Sequence, residues 1–334
     1  MPPLFPTGHH GGSGADYLRR FHPGAPRPWL DLSTGINPFP YPVGTIGTAA
    51  WTALPSPEAE HACRMAMAAY LGTAPDALAL LPGSQAGIAL VPRLFARGDV
   101  DIVEPTYNEH ARAWRDAGHD VRGISVEEMA GSTAAVLVVV NPNNPDGRVY
   151  SAEALLVLAR HRSAAGRWLV VDEAFADLTP EHAVASDARA LNLIVLRSFG
   201  KFFGLAGVRL GAVAAPPSVV ARLERLIGPW AVSGPALEIG ARAYADTVWH
   251  EMARRALGQR ARQMRELLAA ARLQLLGGTD LFHLTGHDQA PIIFERLANA
   301  GIYVRRFRRN PRWLRFGLPP DEMAQVRLAE ALAP

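Results

Sequence analysis

A single lysine, Lys201, stands among the 34 basic residues of this 334-residue chain; all the others are arginines. It lies in a run of aromatic and aliphatic residues, and such a setting disfavours a charged amine. An uncharged primary amine can attack a carbonyl carbon and form a Schiff base, whereas a guanidinium stays protonated. Ser198 and Arg209 flank the lysine with a hydroxyl and a guanidinium, both of which bind anions. The sequence therefore predicts a nucleophilic lysine beside an anion site.

Two turn-like stretches follow apolar runs. Pro82–Gly87 comes after Leu78–Leu81, and small residues at a strand-to-helix turn expose backbone N–H groups that favour phosphate. A plain tight turn with a serine cap is the alternative. Asn141–Gly147 comes after Ala135–Val140 and holds three asparagines, more than turn chemistry requires. Their amides can donate to a ligand oxygen.

A carboxylate, Asp172, follows the very apolar run Trp168–Val171. Burying a carboxylate is costly unless it is paired. Its partner could be a helix end or a structural salt bridge, or else a cation on a cofactor. Taken together, a phosphate-binding turn, an asparagine, a buried aspartate and a nucleophilic lysine are the set that pyridoxal phosphate needs.

The elements that position these residues read as an α/β protein. Helical stretches alternate with short apolar runs that lack polar alternation, which is typical of a mostly parallel central sheet covered by helices on both faces. In such sheets ligands bind at the carboxyl ends of the strands. We predict an N-terminal arm over residues 1–45, a large cofactor-binding domain over 46–230 and a smaller α+β domain over 231–334. A long helical region is predicted from about Pro235 to Leu276, with a break near Trp249.

Three motifs give the chain a family resemblance. Asn144-Pro-x-Gly, Asp172-x-x-Phe175 and Ser198-x-x-Lys201, with Arg209 further on, resemble the class I and II aminotransferases, pyridoxal-phosphate enzymes of fold type I. The match extends from about Leu30 to the C-terminus. It implies a homodimer with its active site near the subunit interface.

The resemblance also implies roles for individual residues. Lys201 would bind the cofactor covalently, Asp172 would pair with its pyridinium nitrogen, and Asn144 would bond its phenolic oxygen. His110 falls where relatives stack a tyrosine on the cofactor ring; a helix-surface residue is the alternative. The residues that would hold the phosphate are Gly83, Ser84, Gln85, Ser198 and Arg209.

For the substrate, the resemblance places Arg315 at the α-carboxylate. His10, Gly35, Asn144 and Arg305 are further substrate-binding candidates, with His10 and Arg305 near a substrate phosphate. Arg305 and Arg315 belong to an arginine-rich stretch between Tyr303 and Phe316. A solvated face or a nucleic-acid patch is the alternative for that stretch.

Two branches of the family act on phosphorylated substrates: one decarboxylates threonine phosphate in cobalamin biosynthesis, and the other transaminates histidinol phosphate. The first is favoured by the stretches His10–Gly12, Asp31–Pro38 and Pro229–Ser233, and by Phe175, which replaces a tyrosine. Gly200 departs from the pattern, because many relatives have a phosphate-binding serine there. Whether the chain decarboxylates or transaminates stays open at this point.

Composition limits the remaining possibilities. A formal charge of +3 does not demand a nucleic-acid partner. The single cysteine excludes an internal disulfide and a cysteine metal cluster, and no other metal site is predicted. The longest apolar run, Ala134–Val140, is too short to span a membrane, and the first residues lack the apolar core of a signal peptide. We therefore expect a cytoplasmic enzyme.

Overall fold

The computed structural model describes residues 11–333, which form two compact units. The larger unit runs from Pro40 to Met252, and the smaller one combines the described residues up to Phe39 with those from Ala253 onward. The α-helices are α1 (Gly14–Phe21), α2 (Thr48–Thr52), α3 (Pro57–Leu71), α4 (Ser84–Leu90), α5 (Asn108–Asp116), α6 (Ala152–Ala164), α7 (Pro217–Ile227), α8 (Gly234–Ala245), α9 (Thr247–Ala270), α10 (Ala290–Asn299) and α11 (Glu322–Leu332).

The strands divide between the two units. They are β1 (Leu30–Asp31), β2 (Leu78–Leu81), β3 (Asp99–Val103), β4 (Asp120–Ile124), β5 (Val136–Val140), β6 (Trp168–Asp172), β7 (Leu193–Ser198), β8 (Gly211–Ala214), β9 (Gln274–Thr279), β10 (Phe282–Gly286), β11 (Ile302–Tyr303), β12 (Arg305–Arg306) and β13 (Trp313–Gly317).

The larger unit is built on a seven-stranded sheet in the order β2-β8-β7-β6-β5-β3-β4. Only β8 runs antiparallel to its neighbours, so the predicted mostly parallel α/β sheet is confirmed. Every residue of β5 and β7 is buried, which explains why these strands are apolar without alternation. On one face of the sheet, side chains of α4, α5 and α7 pack against the strands in a single apolar core.

The edge strand β4 was not predicted from the sequence. Its residues Asp120–Gly123 are exposed or half-buried, so the strand carries no apolar run that would mark it. It pairs in parallel with β3, which completes the sheet on that side.

The smaller unit contains a four-stranded antiparallel sheet, β12-β13-β10-β9, and a parallel pair of β1 with β11. Together with its helices this is the α+β arrangement expected for the C-terminal part. One prediction was wrong: residues 274–276, assigned to the long helix, belong to β9. Helix α9 ends at Ala270, and Arg272 then takes a left-handed backbone conformation with φ 59° that turns the chain into the strand.

The units divide after Met252 and not at residue 230, where the predicted boundary lies. The reason is that α8 packs along α3 inside the larger unit. Gly240 of α8 makes this close approach possible, because a Cβ there would lie 2.9 Å from the sulfur of the buried Cys63 on α3. Among residues 11–333, no helix is long and apolar enough to cross a membrane.

Candidate active site

Parallel pairing brings the ends of β5, β6 and β7 to one edge of the sheet. Val140 lies opposite Asp172, and Asp172 lies opposite Leu196. The turn that begins at Asn141, the carboxylate of Asp172 and the hydroxyl of Ser198 therefore gather at one edge. This is where an open α/β sheet binds its ligands.

Asp172 is paired with His110. The side chains are 4% and 1% exposed, and Nε2 of His110 lies 2.8 Å from Oδ2 of Asp172. The other carboxylate oxygen, Oδ1, accepts a hydrogen bond from the backbone N–H of Ala174 at 3.0 Å. Because His110 is buried, the alternative of a helix-surface residue is wrong. The structure gives it an unforeseen neighbour, the carboxylate, while its stacking on a cofactor ring stays a prediction.

The predicted phosphate residues lie near one another. A Cβ at Gly83 would be 2.6 Å from Nη2 of Arg209, so a side chain there would displace this guanidinium from the turn. Gly211 is equally tight against the backbone nitrogen of Ser84 and is the partner of Ser198 across β7 and β8. Gly83 itself has φ 86°, a conformation that favours glycine. The result is a compact cradle with hydroxyl, guanidinium and backbone donors, which suits a phosphate group.

Lys201 follows β7 in a loop that is rich in buried aromatic side chains. Its Nζ lies 5.8 Å from the centroid of the Phe175 ring, and the neighbouring Phe202 and Phe203 are fully buried. The apolar setting that the sequence indicated is therefore present around this amine.

Gly200, the departure from the family pattern, has a steric cause. A Cβ at this position would lie 2.8 Å from the backbone Cα of Ala206, on the other side of the same loop. A serine there would require a backbone shift, so this chain cannot place a hydroxyl at position 200 in its present conformation.

The three asparagines after β5 differ in their use. The side-chain NH₂ of Asn141 donates to the backbone carbonyl of Tyr150, and its Oδ1 accepts from the backbone N–H of Tyr150. The side-chain NH₂ of Asn143 donates to Asp146 and to the carbonyl of Pro105. These two asparagines therefore build the turn. Asn144, the predicted ligand of the cofactor's phenolic oxygen, is half-buried in the same turn.

Tyr107 is a candidate that the sequence analysis missed. This half-buried ring comes three residues before His110, and its hydroxyl lies 3.3 Å from Oε1 of Gln85 in the phosphate cradle. Its ring centroid is 6.3 Å from that of His110. The signal available in the sequence was an aromatic residue directly before the helix that carries His110.

In the smaller unit, the two arginines predicted to contact substrate are direct neighbours. Arg305 of β12 pairs with Arg315 of β13, and opposed residues of antiparallel strands share a face of the sheet. The intervening Arg306 faces Phe294, with its guanidinium carbon 3.7 Å from the ring centroid. Strand alternation therefore separates Arg305, which pairs with Arg315, from Arg306, which packs on Phe294.

Arg315 is held from the N-terminal part of the chain. The residue is buried, and its Nη2 donates to the backbone carbonyl of Ser33 at 2.8 Å. The segment is fixed by Asp31, which accepts hydrogen bonds from Ser33 and from the backbone of Gly14. Gly35 follows in the same segment and is buried. His10 lies outside the described residues.

Comparison with known proteins gives a consistent set of relatives. Residues 48–332 match the family model for aminotransferase class I and II. The chain is 44% identical to a threonine-phosphate decarboxylase of Sinorhizobium sp., over 97% of both chains. It is 41% identical to a threonine-phosphate decarboxylase of Pseudomonas aeruginosa, over 97% of this chain and 96% of that one.

Solved structures share the fold. A histidinol-phosphate aminotransferase from Sinorhizobium meliloti, in complex with pyridoxal-5'-phosphate, superposes with a TM-score of 0.83 at 21% identity. The match covers 99% of this chain and 97% of the other.

Proposed function

Because the chain belongs to the class I and II aminotransferase family, we propose that it is a pyridoxal-phosphate enzyme that decarboxylates L-threonine O-3-phosphate. The products are (R)-1-amino-2-propanol O-2-phosphate and CO₂, and the reaction belongs to cobalamin biosynthesis. The observation that carries this choice of reaction is the 44% identity to a threonine-phosphate decarboxylase over 97% of both chains.

The residues of the larger unit fit pyridoxal phosphate. The cradle of Ser84, Ser198 and Arg209 offers donors to its phosphate, and Gly83 leaves room for the guanidinium. We propose that Gln85 completes this cradle and that Asn144 bonds the phenolic oxygen. Lys201 supplies the amine that attaches the cofactor covalently.

Asp172 is the proposed partner of the pyridine nitrogen. A buried carboxylate stabilises a proton on that nitrogen, and its bond to His110 fixes the orientation of the carboxylate. When bound, pyridoxal phosphate supplies an electron-withdrawing ring that stabilises the negative charge left at Cα when CO₂ departs. The side chain of Lys201, in its protonated ammonium form, would donate a proton to Cα and become the neutral amine.

The substrate carries two anionic groups, a carboxylate and a phosphate. We propose that Arg315 binds the carboxylate, since a guanidinium matches a carboxylate with two parallel hydrogen bonds. Arg305, which shares a face with Arg315, is assigned to the phosphate end together with His10. Gly35 and Asn144 are further proposed substrate-binding residues. Two adjacent guanidiniums favour a small phosphorylated amino acid over a neutral substrate.

We also propose that the enzyme is a cytoplasmic homodimer that binds neither nucleic acid nor membrane. Exposed Trp51, Leu54 and Trp230 of the larger unit provide apolar surface of the kind that subunit contacts bury. Light scattering of the purified protein should give twice the mass of the chain, and a monomer at micromolar concentration would contradict this assignment.

The deciding experiment supplies threonine phosphate to the cofactor-loaded enzyme without any 2-oxo acid and measures CO₂ and aminopropanol phosphate. We expect both products in equal amounts. Turnover only after addition of 2-oxoglutarate would identify a transaminase of the histidinol-phosphate type instead.

A single variant tests the role of Lys201 independently of the other site residues. Lys201→Arg retains a positive charge but lacks the primary amine, so we expect it to lose the visible absorption of the attached cofactor and at least about a thousandfold in rate. A persisting visible band would refute the assignment of Lys201.

A further inference from the structure

A buried ion cluster consists of Glu173, Asp177 and Arg197. It lies on the face of the large sheet opposite to that of Asp172 and Ser198. Their side chains are 0%, 2% and 4% exposed. Nη1 of Arg197 lies 2.8 Å from Oε2 of Glu173, and its Nη2 donates to Oδ1 of Asp177. The cluster thus joins the end of β6, the turn after it and the end of β7.

The alternation of side chains along a strand places this cluster on the opposite face of the sheet from the proposed coenzyme ligands. Successive residues of a strand face opposite sides of a sheet. Asp172 therefore faces His110 while Glu173 faces away, and Ser198 faces the phosphate cradle while Arg197 faces away. Each of the two strand ends carries one coenzyme ligand and one member of the cluster.

The cluster also ties these strand ends to their surroundings. The second oxygen of Glu173, Oε1, accepts the backbone N–H of Val184 at 2.6 Å, which closes the segment after β6. Asp177 accepts a hydrogen bond from the hydroxyl of Tyr70 on α3 at 3.0 Å. The backbone N–H of Glu173 donates to the carbonyl of Leu196 at 2.9 Å and extends the ladder between β6 and β7.

Stability alone does not account for such an arrangement. Well-packed apolar residues often replace buried ion pairs without loss of stability, because the charges must first be taken out of water. Here two carboxylates meet one guanidinium, and burial raises the pKa of Glu173. What an ion cluster provides and an apolar contact does not is directional bonding, which fixes the spacing of the groups that it joins.

We propose that Glu173, Asp177 and Arg197 form a positioning cluster that sets the distance between Asp172 and the segment from Ser198 to Lys201 for the bound coenzyme. This inference rests on the proposed function, since it assumes pyridoxal phosphate at that edge of the sheet. None of the three residues touches the coenzyme in this arrangement; they act through the backbone of their neighbours.

The test uses two variants and a matched control. Arg197→Lys keeps the charge but loses the planar fork that reaches both carboxylates. Asp177→Asn removes one charge and leaves the Glu173–Arg197 pair. The control, Asp101→Asn, alters another buried carboxylate of the same sheet, which Arg122 holds at 2.9 Å. Asp101 lies opposite Leu137 near the amino-terminal edge of β5, away from the strand ends of the site.

Three quantities are measured for each protein: the dissociation constant of pyridoxal phosphate, the pH midpoint of the visible absorption band, and the melting temperature. For Arg197→Lys we expect coenzyme binding weakened about tenfold or more and a midpoint moved by about half a unit, with smaller changes in the same direction for Asp177→Asn. Asp101→Asn should lower the melting temperature alone.

The proposal is overturned if Arg197→Lys melts earlier but keeps the wild-type dissociation constant and midpoint, as the control does. Should Arg197→Lys not fold, Asp177→Asn decides by the same two readouts. If the wild-type protein itself takes up no pyridoxal phosphate, the proposed function fails and the positioning role fails with it. Wild-type uptake with unchanged binding by Arg197→Lys overturns the positioning role alone, so the two failures are distinguishable.

Discussion

Two histidines are buried to nearly the same degree, one in each unit, yet their surroundings differ. His110 of the larger unit is 1% exposed and lies against the carboxylate of Asp172, whereas His283 of the smaller unit is 2% exposed. Nε2 of His283 makes no hydrogen bond within residues 11–333. Burial, aided by the positive charge of Arg265, lowers the pKa of His283 to about 4. Burial is therefore common to both histidines, and the carboxylate partner is what distinguishes His110.

The largest effect on kcat is expected from a change at Asp172, the carboxylate that pairs with His110. Asp172→Asn removes the negative charge that would hold a proton on the pyridine nitrogen, and kcat should fall by about a thousandfold. The rate of CO₂ release from threonine phosphate measures it, with Asp101→Asn as the control for a buried carboxylate elsewhere in the sheet. A kcat within tenfold of wild type would show that Asp172 is structural.

The smaller unit has its own polar site at Arg315. Arg315→Met should raise KM for threonine phosphate by about 10- to 100-fold, since a hydrogen bond to a charged group contributes about 1.5–3 kcal/mol. The visible band of the coenzyme should stay unchanged. Arg309→Met, an exposed arginine of the same stretch, is the matched control. Equal effects of the two variants would indicate a general electrostatic attraction and not a binding site.

His110 should matter less than its partner. His110→Phe keeps an aromatic ring in the buried space but loses the bond to Asp172, so we expect about a tenfold fall in kcat with coenzyme still bound. The visible spectrum and steady-state kinetics check this. Loss of the bound coenzyme would instead favour a direct contact of His110 with the ring.

The smallest effect on catalysis belongs to His283, whose role is in stability. The unfolded imidazole binds a proton below about pH 6.5 and the folded one only below about 4, so stability falls as the pH decreases through this window. The loss amounts to about 2 kcal/mol at pH 5. His283→Leu should flatten this dependence in denaturant titrations at pH 5 and 7 and leave kcat unchanged. The exposed His161→Leu is the control, and an unaltered pH dependence would contradict the assignment.

The sequence predicted the parts of the fold in which burial dominates. The central strands are buried on both sides, so their apolar runs mark them, and the residues after β5, β6 and β7 lie together at one edge of the sheet. Lys201 stands out because it carries the one side-chain amine in a chain that otherwise uses arginine for its basic residues. The edge strand β4 is half exposed and carries no such pattern, and β9 continues the helical composition of α9.

Contacts between residues that are far apart in the chain could not be predicted from the sequence. His110 and Asp172 are 62 residues apart, and no spacing rule relates them. The ion cluster is different: once β6 and β7 are placed as adjacent parallel strands, alternation already puts Glu173 and Arg197 on the face opposite Asp172 and Ser198. The arginine beside Ser198 and the glutamate beside Asp172 were the signal.

Gly83 and Arg209 lie 126 positions apart in the chain, yet they occupy one small volume, where a Cβ on the first would meet the guanidinium of the second. Neither residue can be exchanged for a bulkier one without moving the other. In homologous chains the two positions should consequently vary together, so that a side chain at 83 accompanies a shorter residue at 209. In a redesign of the site, positions 83 and 209 therefore have to be changed together.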